Sequence, residues 1–184
     1  MPVTHATFAF VNGKLVICGG YPSKTECYSI GPKDTAWQPA GTMTIKRNEA
    51  PSEEINDKML IFGGWGVHTI EEMDVQAATS TLGPSMPLAR YSPCASKINS
   101  TTVLIIGGLN SIDNNIQQST TYYDTVNKIF KPGPDLMVGR YRHDCGWITN
   151  SNGSYVVVAG GNNGTVLDST EYLDLDEPTI WKTG

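Results

Sequence analysis

The stretches that decide the fold are four short apolar segments, each closed by a pair of glycines. They read Leu15-Val16-Ile17-Cys18-Gly19-Gly20, Met59-Leu60-Ile61-Phe62-Gly63-Gly64, Val103-Leu104-Ile105-Ile106-Gly107-Gly108 and Val156-Val157-Val158-Ala159-Gly160-Gly161. The first glycines of successive copies are 44, 44 and 53 residues apart. A long, nearly fixed period is typical of stacked or radially arranged repeats. The sequence therefore predicts four similar structural units.

Each repeat predicts four strands, A to D in chain order. In the first repeat, A covers about 5–11, Asn12-Gly13 makes a tight hairpin turn, B covers 14–18, C covers 26–30 and D surrounds Trp37. Strand B is apolar at consecutive positions in every repeat, so we expect it to be buried on both faces. The other B strands are predicted at 58–62, 102–106 and 155–159.

Strands C and D each carry one large apolar residue per repeat. We expect these residues to pack in the core, because aromatic rings bury a large apolar area. On strand C they are Tyr28, Met73, Tyr123 and Tyr172, and on strand D they are Trp37, Leu82, Phe130 and Trp181.

The glycine pair, the later Tyr and the Trp that follows it together resemble the kelch repeat. A kelch-like linker, Met-Pro-x-x-Arg, also occurs at Met86–Arg90. The resemblance implies an all-β, kelch-type β-propeller with four four-stranded antiparallel blades. The blades would cover about 1–41, 42–84, 85–133 and 134–184 of a single domain, 1–184.

Kelch propellers usually have more than four blades, most often six. The chain is therefore interpreted as part of a six-bladed ring, with a closed four-bladed ring and an oligomer of half-rings as alternatives. An incomplete ring would expose apolar faces on its terminal blades, and such faces drive association. We therefore expect self-association unless the four blades close on themselves.

In kelch-like ubiquitin-ligase adaptors the loops on one propeller face bind the partner protein. The resemblance therefore implies a non-enzymatic protein-interaction module, which would be the substrate-recognition part of such an adaptor. Trp, Tyr and Arg are also the residue types enriched at binding hot spots. The predicted partner-binding residues are Tyr21, Asn48, Trp65, His68, Tyr91, Asn110, Arg142 and Asn162. For Trp65 and Tyr91, packing against an adjacent blade is the alternative.

Catalytic chemistry has little support in the sequence. The three histidines, His5, His68 and His143, lie in different repeats without ligand spacing, and His143 matches a position that is usually structural in kelch repeats. Neither a catalytic residue, a metal site nor a cofactor is predicted. The alternative is an enzyme of the galactose-oxidase or sialic acid mutarotase type, and a copper oxidase would need a crosslinked Cys-Tyr.

The composition narrows the partners and the compartment. A net charge of -5 repels phosphate backbones, so no nucleic-acid partner is expected. No apolar run reaches the roughly 18 residues of a membrane span. The first residues do not read as a signal peptide, which favours the cytoplasm, although an extracellular location stays open.

The cysteines and the glycosylation sequons leave the compartment unsettled. The four cysteines are interpreted as buried free thiols, with a Cys18–Cys27 disulfide as the alternative. Sequons begin at Asn99, Asn152 and Asn163. About two are expected by chance in a chain of this composition.

Overall fold

The computed structural model describes residues 3–22, 24–151 and 153–184. Within them the chain forms four four-stranded antiparallel sheets and no helix. Contacts divide the chain into two compact units, Met1–Tyr91 and Ser92–Gly184. Each unit contains two sheets, and in each sheet the strands lie side by side in chain order. This is an all-β architecture consistent with a propeller-like fold.

The first unit contains sheets 1 and 2. Sheet 1 consists of β1 (Thr7–Val11), β2 (Lys14–Cys18), β3 (Glu26–Ile30) and β4 (Gln38–Thr42). Sheet 2 consists of β5 (Ser52–Ile55), β6 (Lys58–Phe62), β7 (Thr69–Asp74) and β8 (Thr79–Ser85). The short strand β9 (Arg90–Tyr91) ends the unit.

The second unit contains sheets 3 and 4. Sheet 3 consists of β10 (Cys94–Asn99), β11 (Thr102–Ile106), β13 (Thr120–Asp124) and β14 (Ile129–Pro132), with the short β12 (Leu109–Asn110) between β11 and β13. Sheet 4 consists of β15 (Asp144–Asn150), β16 (Gly153–Ala159), β17 (Thr170–Asp174) and β18 (Trp181–Thr183).

The glycine pairs lie where β2, β6, β11 and β16 end, and positive backbone φ explains their identity. Gly63 has a φ of 63°, and a Cβ there would lie 2.8 Å from the carbonyl oxygen of Arg90. A Cβ on Gly64 would lie 2.8 Å from the carbonyl oxygen of Asn48. Both glycines therefore allow two linkers to approach the end of the same strand closely.

The burial prediction for strand B is correct in the middle of the chain and wrong in the first and last sheets. In β6 and β11 every residue after the first is buried. In β2 and β16 only alternate residues are fully buried. The cause is packing: sheet 1 packs one face on sheet 2 in the first unit, and sheet 4 packs one face on sheet 3 in the second.

The outer face of sheet 1 is apolar and exposed. Cross-strand partners place Phe8 and Tyr28 beside Ile17, and Phe10 and Ile30 beside Leu15. Phe8, the most exposed of these, has 68% of its surface accessible. These residues form an exposed apolar patch, with the charged side chains of Lys24 and Glu26 at the depression next to Ile17 and Tyr28.

The predicted positions of the large C- and D-strand residues are corrected by the register. The buried C-strand positions are Met73, Tyr123 and Leu173, so Tyr172 points to the opposite face and Tyr28 is exposed. On strand D, Trp181 is buried, Phe130 is half-buried against Tyr123, and Trp37 and Leu82 are exposed. The core prediction is therefore wrong for Tyr28, Tyr172, Trp37 and Leu82.

The free-thiol interpretation of the cysteines is also wrong. Cys18 and Cys27 lie opposite each other on β2 and β3 and form a disulfide, which is the alternative considered above. Cys94 on β10 and Cys145 on β15 form a second disulfide, which joins sheets 3 and 4 within the second unit. All four cysteines of the chain are therefore paired.

Candidate functional site

The candidate site consists of two kinds of loop that meet at one end of each sheet. One loop follows each glycine pair, and the other follows each linker arginine: Arg47, Arg90 and Arg140. Backbone bonds hold them together, because the second glycine donates its N–H to the carbonyl of the next linker arginine. These bonds are Gly20 to Arg47 (2.9 Å), Gly64 to Arg90 (3.2 Å) and Gly108 to Arg140 (2.8 Å).

The residue two places after each linker arginine has a left-handed backbone. Glu49, Ser92 and Arg142 have φ values of 53°, 51° and 53°, and His5 takes the matching place in the first repeat with 55°. Within the first unit, Glu49 donates its N–H to the carbonyl of His5 at 3.0 Å; within the second, Arg142 donates to Ser92 at 3.0 Å. Repetition of this turn gives the loops a defined backbone.

Buried ion pairs anchor two of the linkers. Arg47 Nε lies 2.9 Å from Glu71 Oε2, and neither side chain is accessible to solvent. Arg47 also donates to the carbonyls of Gly63 and Thr69, both at 2.7 Å. Burial lowers the pKa of Arg47, and its hydrogen bond to Glu71 opposes that shift. The linker is thus bonded to both β6 and β7 of its own sheet.

The same arrangement recurs in sheet 4. Arg140 Nη2 lies 2.7 Å from Glu171 Oε1, and Arg140 Nη1 donates to the carbonyl of Gly160 at 2.8 Å. Glu171 also accepts the backbone N–H groups of Met137 and Val138. The middle linker differs, because the position matching Glu71 is Thr121; burial there lowers the pKa of Arg90 to about 10.

The structure brings Asn48, Trp65 and Tyr91 together in the first unit. Trp65 donates its N–H to the carbonyl of Asn48 at 3.1 Å, and its ring centroid lies 4.5 Å from that of Tyr91. Trp65 is 60% exposed, whereas Tyr91 is only 6% exposed. Packing against the next repeat, the alternative for both residues, is thus observed. The buried Tyr91 ring thus contacts the Trp65 ring at a tilt of 47°, and most of Trp65 stays accessible to solvent.

Two further predicted residues of this unit are exposed on the same kind of loop. Tyr21 follows the first glycine pair and exchanges two backbone hydrogen bonds with Thr4. His68 is exposed, and its carbonyl accepts the N–H of Met86 at 2.7 Å. Their backbones are held while their side chains face water, which suits a contact surface.

The predicted residues of the second unit lie in polar loops. Asn110 Oδ1 accepts the N–H of Ile112, and Asn162 Oδ1 accepts that of Gly164, so both side chains shape turns. Arg142 is exposed, with its guanidinium 5.8 Å from the ring centroid of Tyr141. The interpretation of the asparagines as turn formers therefore describes them better than a direct contact role.

His143 is buried next to the linker of the second unit. Neither ring nitrogen has a hydrogen-bond partner among the described residues. Burial, with the positive charge of Arg140, lowers the pKa of His143 to about 4. The backbone of Ile106 offsets this shift in part. The histidine is therefore neutral in the folded protein at neutral pH.

We expect His143 to make the protein less stable in acid. Between the unfolded pKa of about 6.5 and the folded value, a proton binds to His143 in the unfolded chain but not in the folded protein. The free energy of unfolding therefore keeps its full value above about pH 6.5 and falls as the pH drops through this range. The loss from pH 7 to pH 4 should be about 3 kcal/mol. Denaturant melts of His143→Gln should lack this acid-dependent loss of stability, whereas melts of the exposed control His68→Gln should still show it. Parallel pH profiles for wild type and His143→Gln would contradict the assignment.

The described residues include no group of three or more His, Cys, Asp or Glu side chains placed to hold a metal ion. The described part of the chain also includes no helix long and apolar enough to cross a membrane. The glycine-rich loop Gly63–Gly66 leads into strand β7, so it lacks the helix that would bind a phosphate.

Comparison with known proteins bears on the fold alone. No protein-family model matches the chain, and no curated protein matches it. Among solved structures it is similar to YjhT, with a TM-score of 0.82 at 12% sequence identity. The match covers 100% of this chain, which spans 66% of the length of the YjhT chain. At that identity the likeness supports the propeller-like all-β architecture and carries no activity with it.

Proposed function

We propose that this chain is a kelch-type β-propeller region of four blades that binds a protein partner without catalysing a reaction. The observation that carries the proposal is Trp65, an exposed ring in contact with a buried one, tilted by 47° to it, at the end of a sheet. Such a ring offers apolar area at a low entropic cost, because its neighbour already holds it. Tyr21 and His68 extend the surface within the same unit.

The proposed surface suits an apolar or aromatic side chain of an extended peptide. The backbone groups beside Trp65 are already bonded, since its own N–H is donated to Asn48 and the N–H of Val67 is donated to Gly64 at 3.0 Å. A partner therefore gains its contact from the ring and from the exposed polar side chains around it. The adaptor role suggested by the resemblance is not included, because two disulfides suit an oxidising compartment and ubiquitin ligases act in a reducing one.

The enzyme alternative meets a specific obstacle. A copper oxidase of the galactose-oxidase type would need a cysteine for its crosslinked Cys-Tyr, and here all four cysteines are in disulfides. The mutarotase alternative has no particular residue set in its favour. Stoichiometric copper in the purified protein would nevertheless contradict the binding-module proposal.

We also propose that the chain self-associates through the outer face of sheet 1. Phe8, Phe10, Ile17 and Tyr28 lie together there, and Trp37 lines the same depression as Ile17 and Tyr28, with Lys24 and Glu26 also lining it. In the first unit the opposite face of sheet 1 is covered by sheet 2. A sheet from a second copy would cover the outer face in the same way.

Replacement of Trp65 tests the binding surface. Peptides would be selected against the wild-type protein from a displayed random library, and their affinities measured for wild type, Trp65→Ala and Trp147→Ala. Trp147 is the matched control, because it is also exposed but lies in the middle of β15. We expect Trp65→Ala to weaken binding at least about tenfold, as for a hot-spot residue of 1.4 kcal/mol or more. Peptides that bind Trp65→Ala as well as wild type would overturn the proposal.

A further inference from the structure

Two of the three glycosylation sequons lie in exposed turns of the second unit. Asn99 ends β10 and opens the turn to β11, in the sequon Asn99-Ser100-Thr101. Asn163 lies in the loop between β16 and β17, in the sequon Asn163-Gly164-Thr165. Both asparagines are exposed. The third sequon begins at Asn152, which lies outside the described residues.

The two sequons share a local geometry. Asn99 Oδ1 accepts the backbone N–H of Thr101 at 2.9 Å and its hydroxyl at 3.1 Å. Asn163 Oδ1 accepts the hydroxyl of Thr165 at 3.1 Å, with the Thr165 N–H at 3.4 Å. In both turns the bonds use Oδ1, and the amide nitrogen Nδ2, the atom that would carry a sugar, takes no part in them. The required hydroxyl residue is therefore already next to the acceptor amide.

The cysteines supply an independent observation on compartment. All four are in disulfides, and one pair joins residues 51 positions apart on different sheets. Disulfides of this kind persist in secreted and luminal proteins and are rare where thiols are kept reduced. N-linked glycans are added in the same secretory environment, to Asn-x-Ser/Thr sites on the surface. The two observations therefore point to one compartment.

We propose that Asn99 and Asn163 carry N-linked glycans, added where the two disulfides form. The co-reactant is a lipid-diphosphate-linked oligosaccharide, supplied with its transferase by the secretory compartment. The amide nitrogen forms a bond to the anomeric carbon, and the bond from that carbon to the diphosphate oxygen breaks. The nitrogen loses one proton to the transferase, and the lipid diphosphate leaves. No electrons are exchanged with an oxidant or reductant.

The two glycans would have different effects on the loop surface. Asn99 lies in a hairpin turn at the strand end opposite the loops that follow the glycine pairs. Asn163 is next to Asn162, one of the predicted contact residues, so a glycan there would cover the loops of sheet 4. This step rests on the proposed function: with the loops of sheet 4 covered by a glycan, the partner binds at the loops around Trp65 in the first unit.

The experiment uses the full chain expressed behind a secretion signal in eukaryotic cells, with Asn152→Gln as the common background. Cell and medium fractions are both treated with peptide N-glycosidase, which leaves Asp at each modified position. We expect two glycans, one lost in Asn99→Gln, the other in Asn163→Gln, and both in the double variant. Thr101→Ser and Thr165→Ser, which keep the sequon hydroxyl, are the matched controls and should keep both glycans.

A thiol assay separately tests the claim that the chain forms its disulfides in an oxidising compartment. We expect the four thiols to be blocked in the secreted protein and the thermal midpoint to fall on reduction. Unmodified Asn99 and Asn163 in a chain with both disulfides formed would overturn the glycan assignment. Free thiols, or a reduced chain of unchanged midpoint, would overturn the compartment argument. Neither result depends on whether Trp65 binds a partner, so the proposed function stands or falls by its own test.

Discussion

Glu71→Gln is expected to destabilise the protein by about 3–5 kcal/mol, whereas Glu72→Gln, the next residue on the same strand, should cost under about 1 kcal/mol. Glu71 is fully buried and paired with Arg47. Glu72 points to the other face, where it pairs with Lys58 at 2.6 Å and both side chains are partly exposed. The two substitutions are chemically identical and differ only in burial.

The large cost at Glu71 follows from what the carboxylate holds. It accepts the backbone N–H of Thr44 and the hydroxyl of Ser80 as well as the Arg47 guanidinium. Removing its charge leaves the guanidinium buried without a counter-ion, which costs more than the pair itself contributes. The loss should also loosen the linker, because Arg47 aligns β6 and β7 through its carbonyl contacts.

Denaturant melts of five variants measure this: Glu71→Gln, Glu72→Gln, Arg47→Met, Glu71→Leu and the double variant Arg47→Met/Glu71→Leu. Arg47→Met and Glu71→Leu should each be strongly destabilising, and the double variant should be less destabilised than the sum of the two. In the first repeat both matching positions are uncharged. Tyr28 takes the place of Glu71 in the strand register, and Val3, two residues before His5, takes the place of Arg47. Equal costs for Glu71→Gln and Glu72→Gln would show that the pair is not the anchor.

The strand positions were predictable because they depend on local chemistry. Predicted segments 14–18, 58–62 and 102–106 coincide with β2, β6 and β11. Apolar runs and the turns between them report on short-range preferences that do not need the rest of the molecule. Whether a second sheet covers a given face of a strand depends on residues far away in the sequence. The exposure of β2 and β16 on one face therefore could not be predicted from their own residues.

The long-range pairs could not be read in the same way. The linker arginines stand out in the sequence, but their acceptors Glu71 and Glu171 lie 24 and 31 residues further on, in a strand where a carboxylate normally faces water. Cys94 and Cys145 lie four and five places after Arg90 and Arg140. In the strand register they are offset by one residue, since Cys94 lies opposite Ile106 and Cys145 lies opposite Val158. Both cysteines lie near the start of strand A in successive repeats, but this offset hides the pair from a position-by-position comparison of the repeats.

The aromatic prediction failed through register. The sequence predicts Tyr28 and Tyr172 in the core together with Met73 and Tyr123, although the strand register aligns Tyr28 with Glu71 and Tyr172 with Glu72. A shift of one residue moves a side chain to the opposite face of a sheet, so a spacing that varies by one or two residues does not determine burial. Trp65 was recognised as a candidate because a loop aromatic is informative whatever the register.

Trp181→Ala is expected to cost about 3–5 kcal/mol, whereas Trp37→Ala, at the matching place in the first repeat, should cost much less. Trp181 is 3% exposed, packs with Leu104 and Val158, and donates its Nε1–H to the carbonyl of Pro134 at 3.0 Å. Its removal leaves a cavity and removes one of two hydrogen bonds to the Pro134 carbonyl, which keeps the bond from the Thr120 hydroxyl at 2.8 Å. Trp37 is 44% exposed, so its truncation removes little buried area.

The same two variants separate folding from association. Trp37 lies in the depression on the outer face of sheet 1. Trp37→Ala should therefore lower the apparent mass in light scattering across a concentration series. Its melt should stay close to that of wild type. Phe8→Lys should lower the mass further, because it places a charge on that face beside Ile17. Val126→Lys is the control, since Val126 is exposed in a turn between β13 and β14. A wild-type chain that stays monomeric at every concentration would rule out association through sheet 1, and a Trp37→Ala melt shifted as far as that of Trp181→Ala would show that the face is covered within the chain itself.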